Sequence, residues 1–114
     1  MPDVTIVDET VIIRLSALER IAGLLRDVAV PVSSVRDAHV APDGLRAARG
    51  IRAPGLHLPG VNKYGTWRSS RGKTYVAVKG RRPALLLALE GHAYERIVVT
   101  TADAEALLHQ LRTA

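Results

Sequence analysis

Short runs of β-branched residues open the chain, and their spacing predicts strands. Val4-Thr5-Ile6-Val7 and Val11 to Leu15 read as two strands, joined by a tight acidic turn at Asp8-Glu9-Thr10. The period then changes. Leu18, Ile21 and Leu25, with Ala22 beside them, recur at helical spacing and predict one apolar helix face. Ser16-Ala17-Leu18-Glu19 fits a capping box at the start of that helix, with Ser accepting from a backbone N–H and Glu reaching back. Val28 to Val32 predicts a third strand, and Pro31, which has no N–H to donate, assigns it to an edge. After a turn at Ser33-Ser34, Val35 to Val40 predicts a fourth.

Pro42-Asp43-Gly44 is a turn, and Leu45 to Arg49 predicts a single helical turn. Gly50 to Gly60 carries Pro-Gly twice and reads as a long ordered loop anchored by Ile51, Leu56 and Leu58. Val61 to Arg68, Thr74 to Lys79, Ala84 to Glu90 and Tyr94 to Thr100 then predict a meander of strands. A last helix is expected over about Ala102 to Leu111, with Asp103 as N-cap and Ala104, Leu107, Leu108 and Leu111 as its apolar stripe. Short spacings between runs imply antiparallel pairing, and strand and helix do not alternate as in a doubly wound sheet. The expectation is one domain over residues 1–114, mostly β with α. It is an antiparallel barrel or sandwich whose open end is closed by the C-terminal helix.

This order resembles the bacterial pleckstrin-homology-like domains, of about seven antiparallel strands and a C-terminal capping helix. The residues that carry the likeness are Val30-Pro31-Val32-Ser33-Ser34-Val35 and Gly50-Ile51-Arg52-Ala53-Pro54-Gly55. Gly60 to Trp67, with its Gly-x-x-x-x-Gly-x-aromatic pattern, and Ile97-Val98-Val99-Thr100 ahead of Asp103 complete it. These match small actinobacterial members of the group, and the likeness spans nearly the whole chain. It implies a fold more than an activity, because the shared positions are turns and core residues. Two departures stand out. Phosphoinositide-binding relatives present basic residues on the first hairpin, where this chain has Asp8-Glu9-Thr10, so that lipid site is not carried over. The segment Ser16 to Leu25 is an added N-terminal helix, suited to cover an edge or to mediate self-association.

Charge changes the picture most. Between Asp43 and Glu90 there is no acid, yet ten basic residues fall in that window. They are Arg46, Arg49, Arg52, Lys63, Arg68, Arg71, Lys73, Lys79, Arg81 and Arg82. The flanks hold all eleven acids against six arginines, so the net charge of +5 hides a bipolar chain. A run of one sign raises a local potential that attracts anions. Arginine outnumbers lysine thirteen to three, which favours bidentate contacts with carboxylate or phosphate. Alternation along Val61 to Arg68 puts Lys63, Gly65 and Trp67 on one face, and Tyr64, Thr66 and Arg68 on the other. Trp67, beside Arg68, Arg71 and Lys73, then either stacks on a base or headgroup or sits half-buried in the core. The Arg81-Arg82 turn either holds a phosphate or guards the apolar run Ala84 to Leu89 against aggregation.

The absence of cysteine removes disulfides, thiolate metal sites and cysteine nucleophiles, and fits a reducing cytoplasm. The four histidines are scattered and predict no metal site. Neither a nucleophile elbow, a P-loop nor a dinucleotide fingerprint occurs, so no cofactor and no catalysis are expected. The N-terminus lacks a signal-peptide pattern, and no apolar run approaches the ~20 residues of a membrane span. The leading expectation is a non-catalytic module that binds a protein or an anionic surface through the central basic region. Peripheral membrane contact and homo-oligomerisation through a strand edge are compatible with it. The alternative is a nucleic-acid-binding domain using the basic hairpin. A small enzyme or ligand carrier, with a pocket under the Gly50 to Gly60 loop, comes last.

Overall fold

A computed structural model of the chain describes residues 2–23, 25–47, 56–58, 62–69 and 72–113. The first β-branched run forms strand β1 (Asp3–Val7), which pairs antiparallel with β2 (Thr10–Arg14). Asp8 and Glu9 both take positive φ, 50° and 59°, the mirror-image turn whose twist matches a two-residue hairpin. Strand β3 (Val28–Pro31) pairs with β2 alone, so Pro31 sits at an edge as its missing N–H requires.

Helix α1 (Ala17–Gly23) lies between β2 and β3, and its capping box is closed. The Ser16 N–H donates to Glu19 Oε1 at 2.9 Å, and the Glu19 N–H donates to Ser16 Oγ at 3.2 Å. The expected apolar face is overturned. Leu18 and Ile21 are 77% and 74% exposed, whereas Glu19 is buried. Tyr64 of β6 lies beside Glu19, close enough for the carboxylate to act on its phenol, where α1 packs on the strand. That inward carboxylate fixes the rotation of so short a helix and turns both aliphatic side chains outward. Leu25, beyond the helix end, is buried as expected. Asp27 fastens the unit, accepting from the Leu15 N–H at 2.8 Å and from Arg20 Nη2 at 2.6 Å.

After a single 3-10 turn at Val32–Ser34 come β4 (Val35–Ala41), α2 (Gly44–Ala47), β5 (Leu56–Leu58) and β6 (Asn62–Ser69). They are followed by β7 (Gly72–Lys79), β8 (Ala84–Leu89), β9 (Tyr94–Thr100) and α3 (Ala104–Thr113). The six strands form a second sheet in the order β4-β8-β9-β7-β6-β5. The expected meander fails here. Strand β9 inserts between β7 and β8, and runs parallel to β7. The link at 80–83 therefore passes over the end of β9 instead of closing a hairpin. Thr100 supports it, since its Oγ1 accepts from the Lys79 N–H at 3.0 Å and donates to the Ala77 carbonyl at 3.5 Å.

The described residues hold nine strands rather than about seven, and β5 falls where a loop was expected. The chain is mostly β, with two sheets and a C-terminal helix, and the sheets do not close into a barrel. The main core lies between the sheets. Tyr75, Leu85, Ile97 and Val99 of the larger sheet meet Val11, Ile13 and Val30 of the smaller, with Leu107 and Leu108 of α3. A smaller core of Trp67, Val76, Val78, Ala84 and Val98 fills the opposite face of the larger sheet, where α2 packs on β7 and β9. Burial on both faces explains why β7, β8 and β9 read as continuous apolar runs. Among the described residues, no helix is long and apolar enough to cross a membrane.

Candidate functional site

Strand β7 divides the basic window. Lys73 stands near its start and Lys79 at its end, a separation of roughly 20 Å at strand rise. Arg49, Arg52 and Arg71 lie outside the described residues. The backbone of Lys63 pairs with Val78 in the β6–β7 ladder. The remaining basic residues gather in two groups.

The first group forms at the crossover between β7 and β8. Lys79, Arg81 and Arg82 are exposed there. Helix α2 docks against the link, with the Gly44 N–H donating to the Arg82 carbonyl at 2.8 Å. A Cβ on Gly44 would lie 2.8 Å from Thr100 Cγ2 and 3.1 Å from that carbonyl, so only glycine lets α2 approach so closely. This docking brings Arg46 to the same place. Asp43 works in two directions, accepting from the Arg46 N–H at 3.2 Å and from Arg81 Nη1 at 2.9 Å. The ion pair of Asp43 with Arg81 joins residues far apart in the sequence.

The second group sits near the tip of the β6–β7 hairpin. Arg68 and Lys73 are directly opposite each other across the ladder, and so share one face. Lys73 is also the register partner of Tyr94 on β9. On that face Tyr75 follows Lys73 along β7 and donates its hydroxyl to the Arg26 carbonyl at 2.9 Å. The segment that carries Arg26 therefore lies over Tyr75, and α1 packs against β6 beside it. Arg26 is exposed and Arg20 is paired with Asp27. Burial pushes the Tyr75 phenol well above its ordinary value, helped by Tyr94, Asp27 and Glu19 and opposed by Arg20. Those groups are thus close enough to act on one hydroxyl. Glu95, beside Gly72, is the acid nearest the tip that the geometry identifies. The sequence window missed Arg20 and Arg26, which lie far upstream; edge strand β3 and α1 bring them across.

Trp67 takes the core position of its two readings. It is 3% exposed, and its ring lies over Gly65, where an added Cβ would meet Cζ3 at 2.6 Å. Arg36 and Arg112 were also missed. They flank a dish of about 220 Å³ between β4 and the end of α3, floored by Val35, Ala38 and Leu111 and shared with Asp37. A register shift at Arg36 turns that side chain toward it, as bulges do. Of the histidines, His92 is held by the chain itself, its Nδ1 accepting from the Tyr94 N–H at 3.1 Å. Among the described residues, no group of three or more His, Asp or Glu is placed to hold a metal ion.

These groups of guanidinium and ammonium can hold an anion by charge and hydrogen bonding. No protein-family profile matches the chain, and neither a curated protein nor a solved structure matches it.

Proposed function

We propose that the chain is a non-catalytic interaction module of pleckstrin-homology-like kind that docks on an anionic surface. One observation carries this reading. Arg68 and Lys73 oppose each other directly across β6–β7, and among the described residues neither has an ion pair. Like charges placed opposite in a ladder are destabilising, so this pair serves the sheet poorly and suits a role outside the fold. The crossover adds Arg46, Lys79, Arg81 and Arg82 around the carboxylate of Asp43. A cysteine-free composition suits action in the cytoplasm. Burial of Trp67 withdraws the one indole from stacking, which favours a charged surface over nucleic-acid bases.

The test pairs co-sedimentation on phosphatidylserine vesicles with gel retardation on mixed DNA and RNA. Arg68→Glu with Lys73→Glu, and Arg81→Glu with Arg82→Glu, are compared with the parent chain. Vesicle binding that weakens with added salt and with charge reversal supports the reading. Equal binding of every variant overturns it. Retardation of nucleic acid that both reversals abolish, without vesicle binding, replaces it with the nucleic-acid alternative.

A further inference from the structure

Leu18 and Ile21 protrude from α1 at 77% and 74% exposure, the two most exposed of the large aliphatic side chains described. This is an active arrangement, because the capping carboxylate of Glu19 is buried and holds the helix in that rotation. Both residues lie one helical turn apart, with Arg20 between them in sequence. Their neighbourhood is cationic. Helix α1 packs on β6, whose exposed Arg68 faces Lys73, and the chain leaving α1 carries exposed Arg26 over Tyr75. Among the described residues Arg26, Arg68 and Lys73 have no ion pair, while Arg20 is neutralised by Asp27 and Glu95 sits beside Gly72.

We propose that α1 is a membrane wedge, in which Leu18 and Ile21 enter the acyl boundary of an anionic bilayer while Arg26, Arg68 and Lys73 meet its headgroups. The proposal rests on the anionic-surface reading above and supplies its apolar half. Charge selects this occupant over a second copy of the chain, since a two-fold contact through α1 would set the same cations against themselves. Shape selects it over an acidic protein. Two aliphatic side chains standing clear of a seven-residue helix need a preformed hollow in a protein, whereas a bilayer yields to them. Attraction to anionic lipid and burial of apolar area then act together, as in other peripheral anchors.

The experiment measures the full chain on vesicles of phosphatidylcholine alone and of phosphatidylcholine with phosphatidylserine. Leu18→Ser with Ile21→Ser should fold unchanged, because both side chains are exposed, and its thermal midpoint verifies that. Each lost side chain should weaken binding to the mixed vesicles by about ten-fold, leaving a salt-sensitive remainder. Ile21→Trp supplies a second readout, with added fluorescence that shifts to the blue and is quenched by brominated lipid only on mixed vesicles. If the serine variant binds like the parent while Arg68→Glu with Lys73→Glu does not, the wedge is wrong and the charged docking survives. Binding of the parent to neither vesicle overturns both. A dimer, or capture by polyglutamate, that depends on Leu18 and Ile21 in the absence of vesicle binding overturns the wedge in favour of that partner.

Discussion

Tyr64 of β6 lies close enough to Glu19 of α1 for that carboxylate to act on its phenol, and both side chains are buried where the helix packs on the strand, which decides which way the helix faces. Glu19 also closes the capping box, so one side chain both starts α1 and locks its rotation. Burial, then the nearby Glu19 carboxylate, push the Tyr64 hydroxyl from 10.0 up to about 12.

That shift has a sign in stability. A tyrosine in the unfolded chain ionises near pH 10, before Tyr64 does in the fold, so the native state binds more protons above that point. Its contribution is complete below pH 10 and is lost as pH rises through about 12. Tyr75, raised by burial and then by Tyr94, acts in the same direction. Denaturant midpoints taken across this window should fall, and Tyr64→Phe should flatten part of the fall. A midpoint independent of pH in that range would refute the burial of these two phenols.

Gly65 tests the small core. A Cβ there would stand 2.6 Å from Trp67 Cζ3 and 2.8 Å from Cη2, so the indole must move or the strand must yield. Overpacking of this kind costs about 1–3 kcal/mol. Gly65→Ala should lower the urea midpoint accordingly and shift the emission of Trp67, the sole tryptophan, to the red. Unchanged emission and stability would show that the ring does not depend on that approach.

Much of the fold was legible. The tight turn at Asp8-Glu9, the edge placement of Pro31, the hairpin that separates Tyr64 from Trp67, and the stripe of α3 all follow from local chemistry and alternation. What failed was non-local. Nothing in the link at 80–83 reveals that β9 will slip between its neighbours, because short links look alike whether they close a hairpin or cross a strand end. The outward turn of Leu18 and Ile21 was hidden for the same reason, since β6, against which α1 buries Glu19, is distant in the sequence. For the site, sequence proximity grouped cations of which β7 holds the described ones apart, and it missed Arg26, whose carbonyl the fold brings to the Tyr75 hydroxyl.

Thr100 should prove critical to the crossover. It is fully buried, and its hydroxyl satisfies the Lys79 N–H at the point where the chain leaves β7. Thr100→Val keeps the shape but leaves that donor without its acceptor, at a cost of about 1–3 kcal/mol. Thr100→Ser keeps the hydroxyl and should recover part of the loss. Hydrogen exchange at Lys79 should accelerate in the valine variant alone. Equal stability of valine and parent would mean that the crossover does not hang on this bond.

Asp43 offers two effects of opposite sign. It caps α2 through the Arg46 N–H and neutralises Arg81, whose side chain is 62% exposed. Losing a cap of this kind costs about 1 kcal/mol, whereas an ion pair so open to solvent contributes little. Asp43→Ala should therefore lower stability while releasing Arg81 and leaving the crossover more cationic. Affinity for anionic vesicles should rise a few-fold. Arg81→Ala should do the reverse, with nearly parental stability and weaker binding. Titration on mixed vesicles beside urea denaturation reads both quantities in the same samples. If Asp43→Ala loses stability and affinity together, the cations around 79–82 serve the fold alone, and docking must rely on the hairpin pair Arg68 and Lys73.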